Sequence, residues 1–281
     1  TGPVDNYGDA MRLRERKRQM KFYALTDVGR RREVNQDYVF AADSPIGPFP
    51  NLLVVADGMG GHKAGDFASK FTVETLKKEL EKSAPGRPDE IFKAAIDTAN
   101  RRLIEEAQRD IKLEGMGTTL VLAVVVGEQM HIVNIGDSRI YMVEKRAVKQ
   151  LTRDHTLVQN MIDRGELSVE EAEHHPKKHY ITRAIGVGDT LDIDYQMYEL
   201  KKESVVLLCT DGLSNYLKLE KLPELLKSCI RKGSLQELID YAKRPVYIYN
   251  CVQMGTLFEP DTLEKLWREH PNLKGFKDAS V

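Results

Sequence analysis

The stretch Leu52-Leu53-Val54-Val55-Ala56-Asp57-Gly58-Met59-Gly60-Gly61-His62 decides how this chain is read. Five apolar residues in a row mark a buried strand, and a carboxylate is released where it ends. The small residues that follow let backbone carbonyls approach a ligand, so the run is a natural seat for a hard cation. Taken alone, it reads equally well as a Gly-rich turn whose Asp caps the next helix. Two further places break the tie. The alternating strand Met130-His131-Ile132-Val133-Asn134 leads into Ile135-Gly136-Asp137-Ser138-Arg139, and Val205-Val206-Leu207-Leu208 leads into Cys209-Thr210-Asp211-Gly212-Leu213. Three apolar strands, each running out to an Asp beside a Gly, predict carboxylates gathered at one edge of a sheet stack. A hard divalent ion needs that kind of oxygen-rich corner.

Periodicity supplies the architecture between these points. Ala64, Phe67, Ala68, Phe71, Thr75, Leu76 and Leu80 follow helical spacing, as do Phe92, Ala95, Ile96, Ala99 and Leu103 after a start at Pro88-Asp89. Residues 119–126 form a nearly continuous β-branched run, and Ile140-Tyr141-Met142-Val143 is expected to pair with Met130 to Ile135 as a meander. Helices in couples and strands in runs predict an α+β layered sandwich rather than alternating βαβ units.

Composition excludes several classes of function. The chain has 281 residues, 41% hydrophobic and 30% charged, enough for an ample core. A formal net charge of -1 gives no field for nucleic acid or an anionic membrane. No 18-residue apolar run or signal-peptide pattern is found, so the expectation is a cytoplasmic protein with no membrane partner. Cys209, Cys229 and Cys251 are then reduced, and read as core or incidental thiols. The one basic cluster, Arg12-Leu13-Arg14-Glu15-Arg16-Lys17-Arg18, is read as a solvated helical extension over residues 1–19. From Asp154 to Thr182 the chain is polar and reads as a mobile flap; His174, His175 and His179 cluster there without a matching Cys or fixed ligand spacing, so a flap is preferred to a zinc site.

Five motifs carry a family resemblance: Arg32-x-x-Asn35-Gln36-Asp37, Asp57-Gly58-Met59-Gly60-Gly61, Gly115-Met116-Gly117-Thr118-Thr119, Gly136-Asp137-Ser138-Arg139 and Asp211-Gly212-Leu213-Ser214. In this order, over about Met20 to Ala242, the chain resembles the bacterial branch of the PP2C (PPM) metal-dependent serine/threonine protein phosphatases. The resemblance implies a four-layer αββα sandwich, two antiparallel sheets flanked by helices. It implies a binuclear Mg or Mn centre, with a third weaker site, and a metal-activated water that attacks phosphoserine or phosphothreonine. Carried over by position, Asp57 bridges the metals, the Gly58 carbonyl joins the first, Asp211 binds the second, and Asp137 shares the third with Asp211. Asp37 acts on the first metal through water, and Arg32 binds phosphate with its planar fork. His62 is read as a helix-start or outer residue, and the proton donor stays open. Residues 165–172 resemble the family's flap beside the substrate groove. Implied partners are phosphoproteins of a cognate serine/threonine kinase, met as a monomer.

Two features depart from that pattern. The closing Gly-Gly-x-Asp-Asn turn and last strand are absent, and Asp240, Asp261 and Asp278 have no matching context. A catalytically impaired module that binds phosphoproteins is therefore the alternative expectation. From Arg244 to Val281 the sequence is instead similar to an internal stretch of the dihydrodipicolinate synthase and N-acetylneuraminate lyase family, with Tyr249 and Lys277 at that family's Schiff-base positions. So short a piece cannot close a barrel, which needs roughly 200 residues. The expected organisation is an extension over 1–19, a phosphatase-like domain over 20–243 and a foreign-looking tail over 244–281.

Overall fold

The structure is a computed structural model that describes residues 20–29, 32–61 and 64–242, together with the main chain of 246–250 and 273–278. His62, the 1–19 extension, and the side chains of Tyr249, Lys277, Asp261 and Asp278 lie outside the described residues.

The first sheet has the order β1 (Asp37–Ala42), β2 (Leu52–Met59), β4 (Leu120–Val126), β5 (Gln129–Ile135), β8 (Asp194–Glu199), with the short β3 (Gly117–Thr118) also on β2. The second has β6 (Arg139–Glu144) at its centre, flanked by β7 (Ala147–Gln150) and β9 (Val205–Cys209). Every pairing in both is antiparallel. Among the described residues β9 forms an edge of its sheet.

Alternating side chains explain why these sheets stack. In β4, Leu120, Leu122 and Val124 join one apolar cluster with helices α1 (Ala64–Lys82) and α2 (Pro88–Arg109). Val121, Ala123 and Val125 point the other way, into a second cluster shared with Ile140, Met142, Val206 and Leu208 of the second sheet. Tyr141, Val143, Leu207 and Cys209 leave that sheet's far face for a third cluster with α6 (Leu222–Lys232) and α7 (Gln236–Ala242). Period-two alternation thus builds three apolar seams between four layers, the αββα sandwich expected from the sequence. Because both faces of the first sheet are covered, β4 and β5 are buried almost throughout rather than on alternate residues.

The helices follow their sequence signals. Arg87 precedes α2 with Pro88 in the first turn, where a missing N–H costs nothing. In the segment expected as a polar flap, α3 (Leu157–Asp163) is capped by Thr156 and α4 (Val169–His174) by a Ser168/Glu171 capping box. His175 Nδ1 accepts the Lys177 N–H, while His174 and His179 are exposed.

One strand pairing differs from expectation. β6 does not pair with β5 as a meander; it pairs with β7 and β9 in the other sheet. Gly136, at φ +100°, turns the chain between the two sheets, and a hairpin signal cannot distinguish that corner from a simple reversal. A separate parallel pair joins β10 (Val246–Asn250) and β11 (Leu273–Asp278), with Tyr249 in register with Lys277.

Candidate active site

The strand ends place the aspartates together. Asp37 opens β1 and stands in register with Asp57 near the end of β2. Directly opposed residues of an antiparallel pair share a face. That face is the inter-sheet one, because Val39 and Val55, two residues away, lie in the seam between the sheets. Asp211 arrives from the second sheet, at the first residue of the short helix α5 (Asp211–Ser214) just after β9. Its neighbour Thr210 donates from Oγ1 to Asp37 Oδ2 at 2.8 Å and so clasps the two sheets at this end.

The three carboxyls lie within hydrogen-bonding reach along the series Asp37, Asp57, Asp211. Burial, followed by the charges of Asp37 and Asp211, pushes the Asp57 carboxyl up to about 9. Burial also raises Asp37, against the opposing effect of the Thr210 hydrogen bond. Asp137, in the loop between β5 and β6, is pushed up to about 7 by burial and by the charges of Asp211 and Asp154. Asp211 therefore links all four carboxylates. Arg32 supplies an opposing field at both Asp37 and Asp57, and its Nη1 donates to Gln36 Oε1 at 2.5 Å.

Neighbouring residues fix this nest. Thr119 Oγ1 accepts the Asp57 N–H at 2.9 Å, and both the Thr119 N–H and Thr118 Oγ1 reach the Asp57 carbonyl at 2.9 Å. Thr119 also pairs with Ser138 through their hydroxyls at 2.7 Å, which joins the Asp57 strand to the Asp137 loop. At Gly58, a Cβ would sit 1.8 Å from the Gly65 carbonyl oxygen, so only glycine lets α1 start this close to β2. Arg139 holds Asp154 with two arms, Nε to Oδ1 at 3.0 Å and Nη2 to Oδ2 at 2.7 Å, a fork geometry that lysine cannot reproduce.

The structure thus brings Asp37, Asp57, Asp137 and Asp211 into one electrostatic unit, with Arg32 acting on it. Asp240 is elsewhere: it is exposed on α7 and accepts from Gln236 one turn earlier. Sequence reasoning missed Thr210, Ser138, Asp154 and the individual roles of Thr118 and Thr119. The two threonines and Ser138 were visible only as parts of motifs, and Thr210 and Asp154 carried no signal that separates them from ordinary turn residues.

The donor set suits a hard divalent cation. All its side-chain donors are carboxylate oxygens, and positive charge placed among them would favour the ionised form of Asp57 against burial and its like-charged neighbours. Among the described residues, no three His, Cys, Asp or Glu side chains already surround a common point as a closed cage.

A four-layer sandwich with acidic residues gathered where its two sheets meet is the architecture of a family of phosphatase enzymes. A family model described as Protein phosphatase 2C matches residues 28–238, and the chain belongs to that family. It is 38% identical over 224 residues to the serine/threonine phosphatase stp of Listeria monocytogenes, a match covering 76% of this chain and 85% of that protein. Its fold is similar to that of the S. agalactiae serine/threonine phosphatase, with a TM-score of 0.71 and 35% identity over 78% of this chain and 90% of the other. It is also similar to the catalytic domain of the phosphatase PstP in complex with two manganese ions, with a TM-score of 0.65 and 33% identity, covering 76% and 87% of the respective chains. Among the described residues, no helix is long and apolar enough to cross a membrane.

Proposed function

We propose that the protein is a metal-dependent serine/threonine protein phosphatase, acting on phosphoserine and phosphothreonine in proteins. The observation that carries this reading is the Asp37–Asp57–Asp211 contact, where burial and like charge push Asp57 up to about 9. Such a nest is short of positive charge, and two divalent ions, Mg or Mn, would supply it. Asp57, the Gly58 carbonyl and Asp211 would hold them, with Asp137 and Asp211 at a third, weaker site. When bound, the cations supply Lewis acidity toward the phosphate ester and lower the pKa of the attacking water. Asp37, kept in place by Thr210, orients water at the rim of the nest. Arg32, exposed and within the field of Asp37 and Asp57, fits the phosphoryl oxygens with its planar guanidinium. The working setting is the cytoplasm, with phosphoproteins made by a cognate kinase as partners and a monomer as the active form.

The test is turnover of p-nitrophenyl phosphate and a phosphoseryl peptide by the full chain in millimolar Mn. Hydrolysis that disappears in Asp57→Ala supports the reading, and no metal-dependent turnover of either substrate rejects it.

Asp240 favours a second reading, a catalytically impaired phosphoprotein-binding module. On the last described helix Asp240 accepts from Gln236 at the surface and Glu237 accepts from Ser228 and Lys232, so neither carboxylate serves the nest. In this reading, adding a Gly-Gly-x-Asp-Asn strand after Ala242 restores turnover that the native chain lacks. The domain organisation we propose is a basic extension over 1–19, a phosphatase domain over 20–243 and a tail over 244–281 that is similar to a lyase fragment.

A further inference from the structure

His155 is 2% exposed and ties together three segments of chain. Its main-chain N–H donates to the Gly136 carbonyl at 2.9 Å, while its ring Nδ1 accepts the Gly136 N–H at 3.0 Å. Its own carbonyl accepts the Thr182 N–H at 2.8 Å. On the far side of the ring, Nε2 lies 3.0 Å from Asp194 Oδ2, and Arg183 Nη1 donates to Asp194 Oδ1 at 2.7 Å.

These contacts fix the tautomer. A peptide N–H can be accepted only by an unprotonated Nδ1, so Nε2 carries the hydrogen and donates it to Asp194. Arg183 Nη1 also lies 3.1 Å from Nε2, but a guanidinium has no acceptor, so its hydrogen bond goes to Asp194. Burial lowers the pKa of the ring and favours the neutral form. Burial alone would raise Asp194, yet hydrogen bonds from His155 and Arg183 bring it below the usual carboxylate range.

The peptide that His155 grips has little freedom. Gly136 has φ +100°, and a Cβ there would sit 2.6 Å from Thr119 Cγ2. The next residue is Asp137, and Thr119 and Ser138 close the other side of the loop. The segment around His155 also pairs with the end of the flap, through the Thr156–Ile181 bridge and the Leu157 N–H to Tyr180 carbonyl bond at 2.9 Å.

We infer that His155 is a positioning residue: fixed by Asp194 and Arg183, its Nδ1 sets the Gly136 peptide and thereby where Asp137 stands, coupling the flap to the acidic nest. Its bearing on catalysis rests on the proposed role of Asp137 as a cation ligand, whereas its hold on Gly136 does not. Contacts that orient a metal ligand from outside its coordination shell change affinity or activity by roughly 10–100-fold when removed.

The test uses the full chain with His155→Asn, whose Oδ1 stands near the Nδ1 position, and His155→Gln, which reaches Asp194 but withdraws the acceptor from Gly136. In the metal-free protein, amide hydrogen exchange at Gly136 is expected to stay slow in His155→Asn and to accelerate roughly tenfold in His155→Gln. In calorimetric Mn titrations, His155→Gln is expected to weaken the Asp137-dependent step by roughly tenfold, with rescue by His155→Asn. Equal Gly136 exchange in both variants, or Mn affinity unchanged in a folded His155→Gln, overturns the inference. If the wild type takes up no Mn, the cation reading fails, but Gly136 exchange still decides the role of His155. If the ring substitutions do not fold, Asp194→Ala is used, at a side chain one-third exposed. It is expected to speed Gly136 exchange, and unchanged exchange rejects the role.

Discussion

Asp37 and Asp57 face each other across β1 and β2 in register, two carboxyl groups on one buried face with a third, Asp211, brought in from the other sheet. Their burial, and then the like charges around Asp57, link stability to pH. Asp57 is raised from 3.8 to about 9 in the folded chain, so the native state holds a proton there that the unfolded state releases. Its contribution to stability is full below pH about 4 and declines as pH rises toward about 9. Asp137 adds the same trend up to about 7. The metal-free protein is therefore expected to lose stability between pH 6 and 9, measured by urea unfolding, and Asp57→Asn to flatten that loss while abolishing turnover. Saturating Mn is expected to reverse the trend, since bound cations favour the ionised carboxylates.

Thr210 joins the two sheets at the site through one hydroxyl. Thr210→Val removes the donor to Asp37 at nearly constant volume, and should cost about 2 kcal/mol in chemical denaturation at neutral pH. The same variant should need more Mn for half-maximal turnover. A change in kcat alone would argue that Thr210 does not act through Asp37.

Gly58 tests whether the start of α1 must touch β2. A Cβ 1.8 Å from the Gly65 carbonyl oxygen, and 2.9 Å from that of Gln36, meets main chain that cannot swing aside. Gly58→Ala is expected to destabilise by about 3 kcal/mol and to depress turnover even where the protein remains folded. Thermal unfolding and turnover at matched folded fraction separate the two effects.

Arg139 and Asp154 form a two-armed pair beside the Asp137 loop. Arg139→Lys keeps the charge but loses the fork, with an expected loss of about 1–2 kcal/mol by urea unfolding. Arg139→Met should cost more than Arg139→Lys, because it leaves the largely buried Asp154 carboxylate unpaired.

Much of this was legible in the sequence. The β-branched run over residues 119–126 and the helical spacing of Ala64 to Leu80 both specify buried faces, and they appear as β4 and α1. The strand ends at Asp57, Asp137 and Asp211 were readable only together: each alone reads as a turn or a helix cap, whereas three apolar runs that each end at an Asp beside a Gly point to one shared corner. The partner of β6 was not readable. Residues 130–135 and 140–143 form a plausible hairpin locally, and only the sandwich, with Gly136 at its corner, sends them to different sheets. Thr210 and His155 were equally hidden, since each bears on a residue far away in sequence, Asp37 and Gly136 respectively. The polar look of residues 154–182 also concealed that Asp154, His155 and Thr156 are buried, because their polar atoms are satisfied within the fold.

Everything proposed for catalysis depends on Asp57 and Asp211 holding divalent cations between the two sheets. Anomalous diffraction at the manganese edge from crystals of the full chain soaked in Mn tests it most directly. The account predicts manganese peaks within coordination distance of the Asp57 and Asp211 carboxylates. Peaks elsewhere, or an empty nest in a protein that still hydrolyses a phosphoseryl peptide, would contradict it.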